Sequence, residues 1–318
     1  VVHPTVALDV MGGDHAPDIP LQGAQQALNL YPDLHLVLVG PQDLIEAHLS
    51  PGYHQHPRLQ ICHAPDTISM ADSPVQSVRQ KTESSLVLGM QAVLHGPAQA
   101  FVTAGNSGAA IVAASFYLER LPGILRPAMA VLFPGQRGQT VLLDIGAQAQ
   151  CRPEHLFQFA HLGEALARYA LNIERPRIGL LNIGEEPNKG HQVARESYRL
   201  LSESRLHFLG NIEGWDLPHN RVDVAVCDGF VGNVVLKLAE GLSEYFMDIC
   251  PSLAGTPGAD RFNYTVHGGS LLLGLEKLVI ITHGRAAVSA IVNALALARR
   301  TLIHQMLEQM SAEFKKEV

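Results

Sequence analysis

The chain of 318 residues is long enough to bury a large core, as one α/β domain or as two lobes, and its 47% hydrophobic and 17% charged residues read as an ordinary globular protein. A formal net charge of −7, with Lys and Arg adjacent only at Arg299–Arg300 and Lys315–Lys316, both expected to be solvated, excludes a nucleic-acid binder, which carries a basic face. The four cysteines (Cys62, Cys151, Cys227, Cys250) lack metal or CxxC spacing, which suits a reducing compartment.

In chain order, Thr5–Val10 reads as a buried strand that turns out through MGGDHAP, with Pro17 or Pro20 placed for the first turn of a helix. Leu34–Val39 and Leu59–His63 are the next strands, and Ser69–Leu94 reads as one helix capped by Asp72 or Ser73. Phe101–Thr103 leads into AGNSG and a helix over Ala109–Leu118; Ala128–Phe133 and Thr140–Leu143 are strands around a turn at Pro134–Gly138. Pro153–Ala170 is helical, Arg177–Leu181 strand, Lys189–Leu201 helix, and Leu206–Gly210 and Val222–Cys227 are strands. Val234–Ile249 is helical, residues 250–262 form a mobile Pro/Gly-rich excursion, Val279–Thr282 is a late strand and Ala286–Phe314 a single long helix. Alternation at this rate predicts a mostly parallel sheet with helices on both faces. No signal-peptide pattern and no apolar run of about 18 residues is present, so a cytoplasmic location is expected.

Five apolar runs stop at small polar clusters: Met11–Asp14, Ala104–Gly108, Asn182–Glu186, Asp228–Asn233 and His267–Gly269, the last followed by an apolar run rather than a clear helix. Loops that follow parallel strands gather at one edge, where helix N-termini present N–H groups to anions, so the expected ligand is phosphate. In AGNSG, Gly105 and Gly108 let the backbone curl around an anion while Asn106 and Ser107 add donors. Ser107 reads first as phosphate clamp, next as helix cap only, and last as nucleophile, because G-x-S-x-G spacing is missing. Lys189, beyond Asn182, is placed to hold an anion or offset developing charge; its plain alternative is a solvated helix-start lysine. Asp228, Gly232, Asn233 and Lys237 surround a helix start, where Asp228 and Asn233 read equally well as capping residues. Asp14 and Asp228 are assigned to orienting donors, His267 or His283 to moving a proton, and Gly268 and Gly269 to the substrate loop. Cys227 reads as core. No metal spacing, phosphate-loop motif or dinucleotide fingerprint occurs, so neither metal nor organic cofactor is expected.

The segments ALDVMGGDHAP, TAGNSGA, LLDIGA, LLNIGEEPNKG, VCDGFVGNVVLK and GGSLLLG resemble, in this order over about residues 5–300, the phosphate acyltransferases of bacterial phospholipid synthesis, the PlsX family of acyl-carrier-protein:phosphate transacylases. GILRPA at Gly123–Ala128 and the helix carrying Arg79 share the likeness, which adds Arg79 to the substrate-binding set, whereas GAQAQC departs from it at Gln148. The resemblance implies a fold related to phosphotransacetylases and isocitrate-dehydrogenase-like enzymes, with an active cleft between two lobes. It also implies a homodimer with peripheral contact at the inner membrane face. The implied reaction takes acyl carrier protein thioester and inorganic phosphate to acyl phosphate and free carrier, and a membrane glycerol-3-phosphate acyltransferase then uses the product. An acyl-CoA phosphotransacylase, a non-catalytic acyl-ligand sensor and, more remotely, a dehydrogenase are the competing readings. Leu238, Leu242, Tyr245, Phe246 and Ile249 recur at helical spacing and predict either an acyl groove or a plain core stripe.

Overall fold

The central strands of this chain, such as Thr5–Asp9, Ala100–Thr103, Ile178–Leu181 and Leu278–Ile281, are buried along nearly their whole length, which requires cover on both faces. The computed structural model describes residues 3–250, 252 and 268–314. It divides into two compact units: Val1–Glu119 with Thr265–Leu307, and Arg120–Tyr264 with Glu308–Val318.

The first unit contains β1 (Thr5–Asp9), α1 (Asp18–Leu30), β2 (His35–Gly40), α2 (Gln42–His48), β3 (Leu59–His63), α3 (Pro74–Gln80), α4 (Ser85–Leu94), β4 (Ala100–Thr103) and α5 (Ser107–Tyr117). Its sheet runs β3-β2-β1-β4 in parallel and continues with a parallel strand, Leu278–Ile281, whose antiparallel neighbour is Ser270–Leu273. The late helix Val288–Ile303 covers this sheet, so closely against α1 that a Cβ on Gly23 would lie 2.5 Å from Ile291.

The second unit contains β5 (Ala128–Gly135), β6 (Gly138–Leu143), α6 (Pro153–Leu171), β7 (Ile178–Leu181), α7 (Gln192–Ser202), β8 (Phe208–Ile212), β9 (Val224–Val226) and α8 (Gly229–Ile249). Its strands run β5-β6-β9-β7-β8, with only the β5–β6 hairpin antiparallel. In chain order the late elements are β10 (Ser270–Leu273), β11 (Leu278–Ile281), α9 (Val288–Ile303) and α10 (Met306–Phe314). The fold class expected from the alternation is met.

Several boundaries differ from the sequence reading. The expected helix Ser69–Leu94 is two helices, because Lys81 leaves the first to donate to Asp72 (2.7 Å) and to the Thr67 carbonyl (2.8 Å), and Ser84 caps the second. The expected helix Ala286–Phe314 is interrupted at Gln305, which adopts φ 50° without being glycine. Helix α8 begins at Gly229, not Val234, because the Asp228 carboxylate accepts the Val231 N–H at 2.8 Å and caps it. Asn233 therefore stands in the second turn and is no cap. Arg299, expected to be solvated, forms a bidentate pair with Asp33 at 2.7 and 2.8 Å and lies over the Tyr31 ring. Of the excursion expected over 250–262, residue 251 and residues 253–262 lie outside the described residues.

Candidate functional site

In the first unit the loops after β1, β4 and β11 emerge at one edge and touch. A Cβ on Gly12 would lie 2.7 Å from the Gly105 nitrogen, and one on Gly13 would lie 3.1 Å from the Gly284 carbonyl. The Asp14 N–H donates to that carbonyl at 2.8 Å. Beneath them Asp9, fully buried, accepts from the Thr103 hydroxyl (2.8 Å) and the Met11 N–H (3.1 Å), while Thr103 Oγ1 accepts the Gly105 N–H (2.9 Å). Burial pushes the Asp9 carboxyl above its ordinary range despite these bonds. Asp9 thus organises the glycine loops, a role not read from the sequence.

Asn106 is the cap of α5: its Oδ1 accepts the Ala109 N–H at 3.0 Å, and its Nδ2 donates to the carbonyls of Ser69, Met70 and Asp72 at 3.2–3.4 Å. Its side chain is spent on holding the 69–72 loop. Ser107 is exposed at the first helical position, which removes its reading as the cap. Helix geometry leaves the N–H groups of Ser107 and Gly108 without intrahelical acceptors. The structure thus brings together Asp14, Gly105, Asn106, Ser107, Gly108 and the His283–Gly284 corner. Arg79 instead stacks over Phe116, 5.5 Å from the ring centroid. The lack of side chains at Gly268 and Gly269 is accounted for by packing, since a Cβ on either would approach the Asn293 or Ile281 backbone within 2.8 Å. His267 lies outside the described residues.

In the second unit the loops after β6, β9 and β7 likewise share an edge. Asp144, wholly buried, accepts four backbone N–H groups: Met129 (2.9 Å), Gly146 (3.1 Å), Ala147 (3.0 Å) and Gln148 (2.6 Å). Burial raises its carboxyl's pKa against the pull of these donors. The loop so formed receives α8: the Gly229 N–H donates to the Gln148 carbonyl (2.9 Å), and Asn233 Nδ2 to the Ile145 carbonyl (3.1 Å). Asn233 is otherwise exposed. Asn182 ties the loop after β7 through its own amide, donating to the Lys189 carbonyl and to Asn211, both at 3.1 Å. Lys189 sits in that loop rather than at a helix start; its side chain is 46% exposed and its ammonium is 3.8 Å from Glu186.

His191, overlooked in the sequence, caps α7 by accepting the Ala194 N–H on Nδ1 (3.2 Å), which leaves the proton on Nε2, 4.0 Å from Asp228. It joins the Lys189 loop to the start of α8; its position directly after Gly190 was the available signal. Lys237, a turn further along, is paired with Glu240 at 2.8 Å. Cys227 is buried and its thiol held well above the ordinary value by burial first, then by Asp144 and Asp228, which suits core rather than nucleophile.

A family model described as "Fatty acid synthesis protein" matches residues 4–255. The phosphate acyltransferase of Syntrophotalea carbinolica is 40% identical, covering 98% of this chain and 94% of its own, and that of Pelotomaculum thermopropionicum is 41% identical over 98% and 95%. The chain belongs to this phosphate acyltransferase family. Among solved structures, a phosphotransacetylase from Streptococcus pyogenes aligns with a TM-score of 0.67 at 16% identity (96% and 94% of the two chains). The EutD phosphotransacetylase of Staphylococcus aureus aligns at 0.62 and 13% identity, covering 94% of each chain. These likenesses establish a fold shared with the phosphotransacetylases, as the resemblance implied. The loop edge of the first unit presents backbone N–H groups and the exposed Ser107, and that of the second unit presents the half-exposed Lys189 and Asn233. No group of three or more His, Cys, Asp or Glu side chains able to hold a metal occurs among the described residues.

Proposed function

We propose that the protein transfers an acyl group from an acyl carrier protein thioester to inorganic phosphate. The observation that carries this reading is the near full-length likeness to phosphate acyltransferases, at about 40% identity. A phosphate oxygen attacks the thioester carbonyl carbon, the tetrahedral oxyanion collapses, the C–S bond breaks, and the thiolate leaves to be protonated. A thiol of pKa about 8.5 departs readily, so the protein's task is to desolvate and align phosphate and to offset the oxyanion. In the second unit Lys189 and Asn233 are the groups suited to that offset, with His191 linking the Lys189 loop to Asp228 at the start of α8. In the first unit the Ser107–Gly108 N–H groups are suited to an anion, and His283 lies at the corner beside Gly284. The chemistry asks for no organic cofactor or metal.

The protein acts as a homodimer in the cytoplasm, at the inner membrane face, delivering acyl phosphate to a membrane glycerol-3-phosphate acyltransferase. Among the described residues no helix is long and apolar enough to cross a membrane. The plain core stripe open for α8 from its spacing is excluded, because its buried positions are Gly229 and Gly232 while Leu238 and Tyr245 are 62% and 58% exposed. Such a face favours cover by a second copy.

The deciding experiment measures phosphate-dependent release of free thiol from a long-chain acyl carrier protein, with acyl-CoA in a parallel arm. Thiol release from the carrier that saturates with phosphate is expected. Faster release from acyl-CoA moves the donor assignment to the nucleotide thioester. Binding of acyl donor without thiol release overturns the transfer reading in favour of a sensor.

A further inference from the structure

A cavity of about 570 Å³ opens in the second unit between the segment preceding β5 and the first turn of α6, lined by Arg120, Arg126 and Arg152 together with Gln148, Cys151 and His155. No carboxylate lines it. Arg120 donates to the Leu125 carbonyl and so shapes the wall. Arg126 and Arg152 have no side-chain hydrogen bond or ion pair among the described residues. This contrasts with Arg177, Arg221 and Arg299, each of which is paired with an aspartate. In a chain of net charge −7, three guanidiniums around one cavity make a local field that an anion would neutralise.

The neighbouring groups point the same way. His155 Nδ1 accepts the Arg152 N–H at 3.2 Å, and its pKa is lowered by burial and then by the charges of Arg126 and Arg152, so the ring stays neutral. The Cys151 thiol is pushed up to about 12 by burial, Asp144 and Asp228, so it stays protonated and the cavity is a place for binding rather than covalent chemistry. The volume suits a small organic molecule rather than a lone tetrahedral anion. Arginine forks recognise phosphate oxygens in pairs. One wall is Gln148, whose carbonyl accepts the Gly229 N–H, and the same loop's Ile145 carbonyl holds Asn233. A ligand in the cavity therefore lies along the loop that positions Asn233.

We propose that this cavity seats the phosphate group of the phosphorylated arm on which the thioester donor carries its acyl chain, with Arg126 and Arg152 as its ligands. The inference rests on the transacylase reading above. The arm has two sources, a carrier protein or coenzyme A, and both present an organic phosphate.

Calorimetric titration with phosphopantetheine, pantetheine and inorganic phosphate tests the cavity without requiring turnover. Phosphopantetheine should bind at least about tenfold tighter than pantetheine, and Arg126→Ala and Arg152→Ala should each weaken it about tenfold or more, as expected for a lost charge-assisted contact. Both arginines are exposed, so the variants should keep the wild-type melting temperature; Arg126→Lys, which keeps the charge but not the fork, should bind between wild type and Arg126→Ala. Equal binding of the phosphorylated and unphosphorylated arms, unchanged affinity in the variants, or equally tight binding of inorganic phosphate at this cavity would each overturn the proposal. Arginine-dependent competition by coenzyme A or by the holo carrier supports the cavity and names the source. Wild-type protein that binds the arm but releases no thiol refutes the transacylase reading alone; turnover without phosphate-selective binding refutes the cavity alone.

Discussion

The α-carbon of Gly232 stands so close to Asp144 that a Cβ there would lie 1.9 Å from the Asp144 carbonyl oxygen. This approach lets α8 settle on the loop after β6, where its first turn meets Gln148 and Asn233 meets Ile145. The obstacle is backbone, which has no rotamer to yield. Gly232→Ala should destabilise the protein by about 3 kcal/mol or more. Gly241→Ala, in the same helix with nothing within 4 Å of where the added methyl would stand, should stabilise it by roughly 0.5–1 kcal/mol. Urea denaturation of the pair checks both signs.

Lys189→Ala and Asn233→Ala should each lower turnover roughly 100-fold, the usual loss for one donor to an oxyanion. Stability should change little: Lys189 reaches only Glu186, at 3.8 Å across an exposed surface, and Asn233 gives one bond to a carbonyl. Steady-state thiol release beside a thermal melt separates the two effects. Unchanged kcat in both variants removes these residues from the chemistry.

Asn106, read from the sequence as a donor to an anion, is held by the fold as a structural residue, so Asn106→Ala should destabilise the protein. The side chain caps α5 and holds three carbonyls of the 69–72 loop while almost fully buried. Removing it should cost about 2 kcal/mol, the sum of a lost cap and buried carbonyls left unbonded. Denaturation midpoints and proteolysis at residues 69–72 would show it.

Legibility followed range of interaction. Leu34–Val39 was readable because Leu36–Val39 is an apolar run that ends at Gly40-Pro41, Leu59–His63 because Leu59 and Ile61 alternate with polar Gln60, and the glycine loops because close backbone approach leaves only one residue type able to fit. The break between α3 and α4 was not, since helical spacing runs through it and the interruption comes from Lys81 reaching Asp72 and Thr67. Nor was Gln305, a left-handed residue that is not glycine. At the site, residue types pointed to phosphate, but the sequence left open which side chains were already committed. Asn106 and Asn182 look like donors in the sequence and prove to be staples, Asn106 of the 69–72 loop and Asn182 of its own. Asp9 escaped because its partner Thr103 lies far along the chain, and the arginine cavity because the fold alone brings Arg152 to Arg120 and Arg126. Asp144 escaped because a carboxylate after an apolar run does not reveal that it will be buried under local N–H groups.

The Asp33–Arg299 pair sets a pH-dependent contribution. Arg299, hydrogen-bonded to Asp33, holds that carboxyl below its ordinary value of 3.8. A depressed folded value means that the stabilisation is present above the unfolded value and is lost as pH falls through the folded one. Both side chains are about a third exposed (34% and 27%), so solvent screening keeps the pair below about 1 kcal/mol. Asp33→Asn should therefore be slightly less stable than wild type at neutral pH, with the difference shrinking as pH falls below 3.8 and gone only below the folded value. Urea midpoints across that range give the answer; a difference that grows in acid contradicts the assignment.

The apolar face of α8 carries the last prediction. Phe230, Val234, Leu238 and Leu242 follow one another at intervals of four along the helix, each 45–67% exposed, and Tyr245, Phe246 and Ile249 extend the line. One apolar residue in water is unremarkable, but a continuous ridge over five turns loses much free energy unless covered. A second copy supplies an identical ridge, and two such ridges pack as helices do in a two-fold interface. Leu238→Glu, at the middle of the line, places a charge where burial would leave it unpaired. Sedimentation should show wild type as a dimer and this variant as a monomer, with the melting temperature becoming independent of protein concentration. A variant that remains dimeric yet no longer sediments with anionic vesicles would instead assign the ridge to lipid.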